Sequence, residues 1–201
     1  MKLELKNLSE KLKMLAILAV LILPFYSCKD TKLEIPIPSA TIDLGNVLVG
    51  GGPSSVKGVQ RVGAGDLISF NETDKVITMD DIKGLTDQAL EYKSRISEIE
   101  IGTASITITA PDDATGTEVK DFVLDVTGVG KLEIPQYNLG TSYAAEDVVV
   151  FAKDVLAKLL SDDEITVSIS GKTDVTSGKN LNVRIKLDDM KLIADLLQVL
   201  N

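Results

Sequence analysis

Alternation of apolar and polar residues dominates the chain beyond residue 31. Lys32 to Leu44, KLEIPIPSATIDL, alternates as an extended segment. Pro36 and Pro38 direct it to a sheet edge or an entry strand, because neither can donate to a ladder. Between Val56 and Met79, the runs VKGVQRV, DLISF and KVITM have β character and are separated by glycine and acidic turns. The period then changes. Thr78 reads as an N-cap, Asp80 and Asp81 as first-turn acids, and Ile82, Leu85, Ala89, Tyr92 and Ile96 recur at helical spacing, which predicts a helix weakened by Gly84.

Strand character returns in EIEIGTASITITA, Glu98 to Ala110, and in TEVKDFVLDVTG, Thr117 to Gly128. The intervening PDDATG is turn chemistry, so these two predict a hairpin. A stronger helix is predicted from about Tyr143 to Leu160. Val148, Phe151, Val155 and Leu159 form one line along it, with Val149, Ala152, Leu156 and Leu160 beside them, so it is expected to be deeply covered. EITVSIS, Glu164 to Ser170, and LNVRIKL, Leu181 to Leu187, predict a second hairpin around GKTDVTSGKN. The tail from Asp188 to Asn201 fits a helix through Ile193, Leu196, Leu197 and Leu200, and also a strand through Met190, Leu192 and Ala194.

The expected fold class is therefore α+β, with antiparallel sheet or sandwich-like strands packed against two main helices. KLEIP occurs twice, at Lys32 and Lys131, and each occurrence opens the order extended segment, helix, hairpin. Two related halves, 32–128 and 131–201, are a hint of internal duplication, with Gly50 to Met79 as an insertion in the first.

The first residues follow another logic. Lys2, Lys6, Lys11 and Lys13 outnumber Glu4 and Glu10, and an apolar run follows from Met14 to Leu23. At about 1.5 Å per residue the run falls well short of a bilayer core of roughly 30 Å, and the order is that of a secretory signal. Pro24 ends the run, and FYSC places Ser27 directly before Cys28, the only cysteine. This resembles the lipobox of bacterial lipoproteins, in the looser form of Bacteroidetes-type bacteria, since Phe25 and Tyr26 replace aliphatic and small residues. The resemblance is confined to this N-terminal segment. It implies removal of residues 1–27, acylation of Cys28, and attachment of a mature chain, 28–201, to the outer membrane at its periplasmic face or at the cell surface. CKDTK partly resembles the export signals of surface lipoproteins, with the second acid missing. An ordinary signal peptide followed by a free cysteine, or a short buried helix with a structural thiol, is the other reading, and an unpaired exposed thiol is a liability in an oxidising compartment.

Removing the four lysines and two glutamates of residues 1–27 from totals of 21 basic and 30 acidic residues leaves 17 and 28, a net charge of −11. Charge thus argues against nucleic acid or anionic lipid surfaces as partners. Histidine is absent and the one cysteine is assigned to the anchor, so no catalytic, metal or cofactor site is predicted from the usual nucleophiles and ligands. SGKT, Ser170 to Thr173, has the tail of a phosphate-binding loop, but Thr166 stands where its first glycine belongs. The pairs Asp80/Asp81, Asp112/Asp113, Asp162/Asp163 and Asp188/Asp189 read as helix-end and turn acids, and DDATGTE lacks the spacing of a calcium loop. Tyr137 and Tyr143 are the only plausible exposed aromatic pair for a glycan.

Two function classes follow. One is a non-enzymatic structural or protein-interaction module of the cell envelope, anchored through Cys28 and offering a sheet edge or loop to an envelope protein. The other is a carrier of a lipid or other apolar ligand, held in a groove lined by Val148, Val149, Ala152, Leu156 and Leu160. That arrangement would be similar to the tubular lipid-binding folds in element order alone.

Overall fold

A computed structural model of the chain describes residues 31–50, 67–111 and 116–196. The leader with Cys28, the run VKGVQRV and the pair Asp112/Asp113 lie outside the described residues. The chain divides into two compact units, Glu34–Ala194 and a smaller one of Met1–Leu33 with Asp195–Asn201. In the smaller unit the Leu196 N–H donates to the Thr31 carbonyl at 2.8 Å.

Mostly antiparallel strand builds the larger unit. The strands are β1 (Lys32–Leu48), β2 (Ile68–Thr78), β3 (Ile82–Lys83), β4 (Ile96–Thr109), β5 (Glu118–Val126), β6 (Gly130–Asn138), β7 (Glu164–Thr173) and β8 (Asn180–Asp195). They form two four-stranded sheets, in the orders β3-β1-β8-β4 and β2-β7-β5-β6. Alternate side chains are buried along much of the strands, as in Ile106 and Ile108 of β4 or Val183, Ile185 and Leu187 of β8, while β2 buries only Phe70 and Ile77. Two helices complete it, α1 (Asp87–Glu91) and α2 (Glu146–Asp162). Helix α2 lies against β4, β6 and β7.

Two of the predicted pairings are wrong. Strand β4 pairs with β8 in the first sheet, whereas β5 pairs with β6 and β7 in the second, so Glu98–Ala110 and Thr117–Gly128 form no hairpin. Likewise β7 and β8 lie in different sheets. Both connections pass from one sheet to the other, and alternation reports which face of a strand is buried without naming its neighbour. The hairpin that does form joins β5 to β6 through a tight turn, in which the Val129 N–H donates to the Val126 carbonyl at 2.9 Å.

Helix content is also lower than expected. The Thr78–Ile96 stretch is not one helix: a 3-10 turn over Met79–Asp81, the short β3, the five-residue α1 and another 3-10 turn over Lys93–Arg95 follow one another. Gly84 is the physical reason. Its φ is +93°, and a Cβ there would lie 2.4 Å from the Ser39 carbonyl oxygen, so the chain turns left-handed against β1 at this point. Ile82 pairs with Ile42 just before it. DLISF and KVITM prove to be parts of one strand, β2, interrupted by a bulge at Asp74 with φ 56°. Of the two readings of the tail, strand holds through Asp195, and residues 197–201 lie outside the described residues.

Three of the four strands in each sheet follow the same order when the chain halves are exchanged, while β3 flanks β1 and β2 flanks β7. Mapping β1, β4 and β5 onto β6, β7 and β8 turns the order β1-β8-β4 into β6-β5-β7, the order observed in the second sheet. Residues agree with the mapping. Asp189 in β8 and Asp121 in β5 both have left-handed backbones, with φ of 52° and 51°. Gly102 of β4 faces Asp189, and Gly171 of β7 faces the bulge at Asp121. After Asp121 the buried residues are Phe122, Leu124 and Val126, and after Asp189 they are Met190, Leu192 and Ala194 together with Ile193. Aligning the two KLEIP segments places Glu34 on Glu133. Glu133 stands opposite Val123, and Lys191, the counterpart of Val123, lies 3.4 Å from Glu34.

Candidate functional site

The apolar face of α2 is closed. Val148, Ala152 and Leu156 have no exposed surface and Leu160 is 5% exposed, while Val149 is half-buried. Phe151, Val155 and Leu159 are buried beside them. The five residues expected to line a ligand groove are therefore core or partly covered. Continuous apolar lines on a helix describe packing against two sheets as well as they describe a groove.

An open concavity lies instead beside the same helix, at the margin of its apolar face. It has a volume of about 880 Å³, between the first turns of α2 and the start of β6. Leu132 and Phe151 form its floor, and Val129 and Val150 its apolar walls. Val150 is 58% exposed, a large value for a valine in mid-helix. Glu133 stands on the β6 side, with Glu146, Asp147 and Asp154 on the helix side. Lys131 is the one cation of the lining, and its Nζ lies 3.6 Å from Asp125 on the neighbouring strand. Helix α2 begins at Glu146 because the backbone of Tyr143 is engaged with Ile106 of β4, at 2.9 Å in both directions. Glu146 and Asp147 then sit in the first turn, where negative charge is favoured.

Sequence reasoning missed this concavity. Val150 is the third residue of the row Val148–Val150 and falls off both apolar lines of the helix, which is the one signal that could have found it.

The other sequence candidates are structural. SGKT is the C-terminal end of β7 and not a loop. Lys172 pairs with Asp121 at 2.9 Å, and the buried Thr173 hydroxyl donates to the Glu118 carbonyl at 2.7 Å. Tyr137 is buried and Tyr143 half-buried, so they form no exposed pair. The described acid pairs each have partners of their own. Asp81 accepts from the Thr78 N–H at 2.8 Å, Asp162 pairs with Lys158 at 2.7 Å, and Asp188 pairs with Lys186 at 2.9 Å. Asp163 ends α2 in the left-handed region and pairs with Lys93. The Lys158 hydrogen bond holds the Asp162 carboxyl below the usual carboxylate range, as Lys186 does for Asp188. Among the described residues no three His, Cys, Asp or Glu side chains converge as metal ligands.

No helix among the described residues is long and apolar enough to cross a membrane. No protein-family model, curated protein or solved structure matches the chain.

Proposed function

We propose that this protein is a lipid-anchored component of the cell envelope, tethered to the outer membrane through Cys28, whose β-rich body serves as a non-enzymatic docking module for another envelope protein. The concavity between β6 and α2 is the observation that carries the docking part. It is open, it combines an apolar floor with a charged rim, and such a mixture suits a protein surface. Lipid carriage has less support, because Val148, Ala152 and Leu156 have no exposed surface. In this reading the body is an α+β domain of two duplicated halves, supported by the exchanged strand orders and the Asp121 and Asp189 correspondence.

Cell fractionation tests the anchor: Cys28→Ala should move the protein from the membrane pellet to the soluble fraction, and retention in the pellet would overturn it. A photo-crosslinking residue at position 150 in the anchored protein tests docking. A discrete crosslinked envelope protein is expected, and a clean absence of adducts would count against the module.

A further inference from the structure

We propose that the β6/α2 concavity receives an extended cationic segment of its partner, laid along the outer edge of β6. The inference rests on the docking reading above and narrows it to a partner chemistry.

Three observations converge. The first is charge. Four carboxylates, on Glu133, Glu146, Asp147 and Asp154, line the concavity against the single Lys131, which is already close to Asp125. The first-turn position accounts for Glu146 and Asp147 as helix-stabilising acids, but it does not account for Glu133 on the strand or Asp154 two turns further along the helix. The second is shape. Leu132 and Phe151 form an apolar strip under that rim, and Val150 is left in solvent beside it. The third is backbone. Strand β6 ends its sheet, and no described strand pairs with its outer edge. Pro135 cannot donate to an added strand, so the usable stretch is Gly130–Ile134, the part that borders the concavity.

Other occupants fit less well. An anionic headgroup or nucleic acid would be repelled by the rim. A small apolar ligand would leave carboxylates desolvated without partners, and a bare metal ion would need converging ligands. A peptide with cationic and apolar residues alternating would present one set to the rim and the other to the strip, as the two-residue period of a strand requires.

The test uses full-length protein in nonionic detergent and a fluorescein-labelled octapeptide of alternating Lys and Val, read by anisotropy, with a Glu/Val octapeptide for comparison. The Lys/Val peptide should bind and the Glu/Val peptide should not. Glu133→Gln with Asp154→Asn, which spares the first-turn acids, should weaken binding about tenfold, as should the uncharged Val150→Asn, and parent binding should show a marked loss between low and about 0.15 M salt. Neutralising Asp80 and Glu91, exposed acids outside the lining, should leave affinity unchanged. Amide shifts on peptide addition should centre on Lys131–Ile134. Equal binding by the Glu133/Asp154 variant, equal binding of both peptides, or shifts centred elsewhere would overturn the proposal. A position-150 crosslink to a partner segment without basic residues would also overturn it while leaving the docking reading intact.

Discussion

The hydroxyl of Tyr137 on β6 accepts the backbone N–H of Ile108 on β4 at 3.1 Å and donates to the Thr141 carbonyl, so one buried side chain joins the two sheets. Ile106 and Ile108 point their N–H groups to the same side of β4. The Tyr143 carbonyl satisfies the first and the Tyr137 hydroxyl the second.

Tyr137→Phe keeps the ring and removes that acceptor, leaving the buried Ile108 N–H unpaired. A loss of about 1–3 kcal/mol is expected in urea unfolding, with the fold retained by far-ultraviolet circular dichroism. A midpoint equal to the parent would show that another group takes the N–H.

Asp174 fixes the entry to β5. Its carboxylate accepts the Thr117 N–H at 2.8 and 3.0 Å, the Glu118 N–H at 2.9 Å and the Thr117 hydroxyl at 3.2 Å. Burial opposes its ionisation, and the Glu118 and Thr117 donors outweigh burial, so its pKa is lowered. A carboxylate whose folded pKa is depressed contributes stability above its unfolded pKa of about 3.9 and loses it as pH falls through the folded value. The urea midpoint of Asp174→Asn should therefore lie below the parent's at pH 7, and the gap should narrow as the pH drops below about 4. A gap that stays constant into strong acid would remove ionisation from the explanation.

Gly102 on β4 and Gly171 on β7 are both crowded. A Cβ at Gly102 would meet the Asp189 Cβ at 2.8 Å, and one at Gly171 would meet the Phe70 ring at 2.7 Å and the Lys120 carbonyl oxygen at 3.2 Å. Alanine at either position should cost about 1–3 kcal/mol through overpacking. Thermal melts that rise or stay level for both variants would contradict the close approach.

Chain cleavage tests the exchange of strands. Strand β5 lies between β7 and β6, and β8 lies between β1 and β4, so each half supplies the centre of a sheet to which the other contributes. A protease site inserted between Gly128 and Val129 should yield two fragments that still migrate as one species under native conditions and separate in denaturant. Fragments that part at once in native buffer would refute this arrangement.

Local physics was legible in the chain. The two-residue period marked nearly every strand and its buried face, because burial of alternate side chains is a property of one strand alone. The unbroken apolar lines from Val148 to Leu160 marked α2, and the aspartate-rich turns gave caps and ion pairs rather than converging acids.

Pairing and exposure belonged to the tertiary structure. Strands β4 and β8 are distant in sequence and meet because both bury apolar residues on the same layer, a free energy that depends on the whole core and not on the turn between neighbours. The stretch after Thr78 carries helical spacing, yet Gly84 against Ser39 and the pairing of Ile82 with Ile42 override it, since weak local propensity yields to packing. Val150 and Phe151 are adjacent apolar residues, one in solvent and one on the floor of the concavity, and only the placement of α2 beside β6 separates them. The sequence by itself determined which residues alternate, cap and turn; the folded core decided which strands became neighbours and which apolar surface was left open.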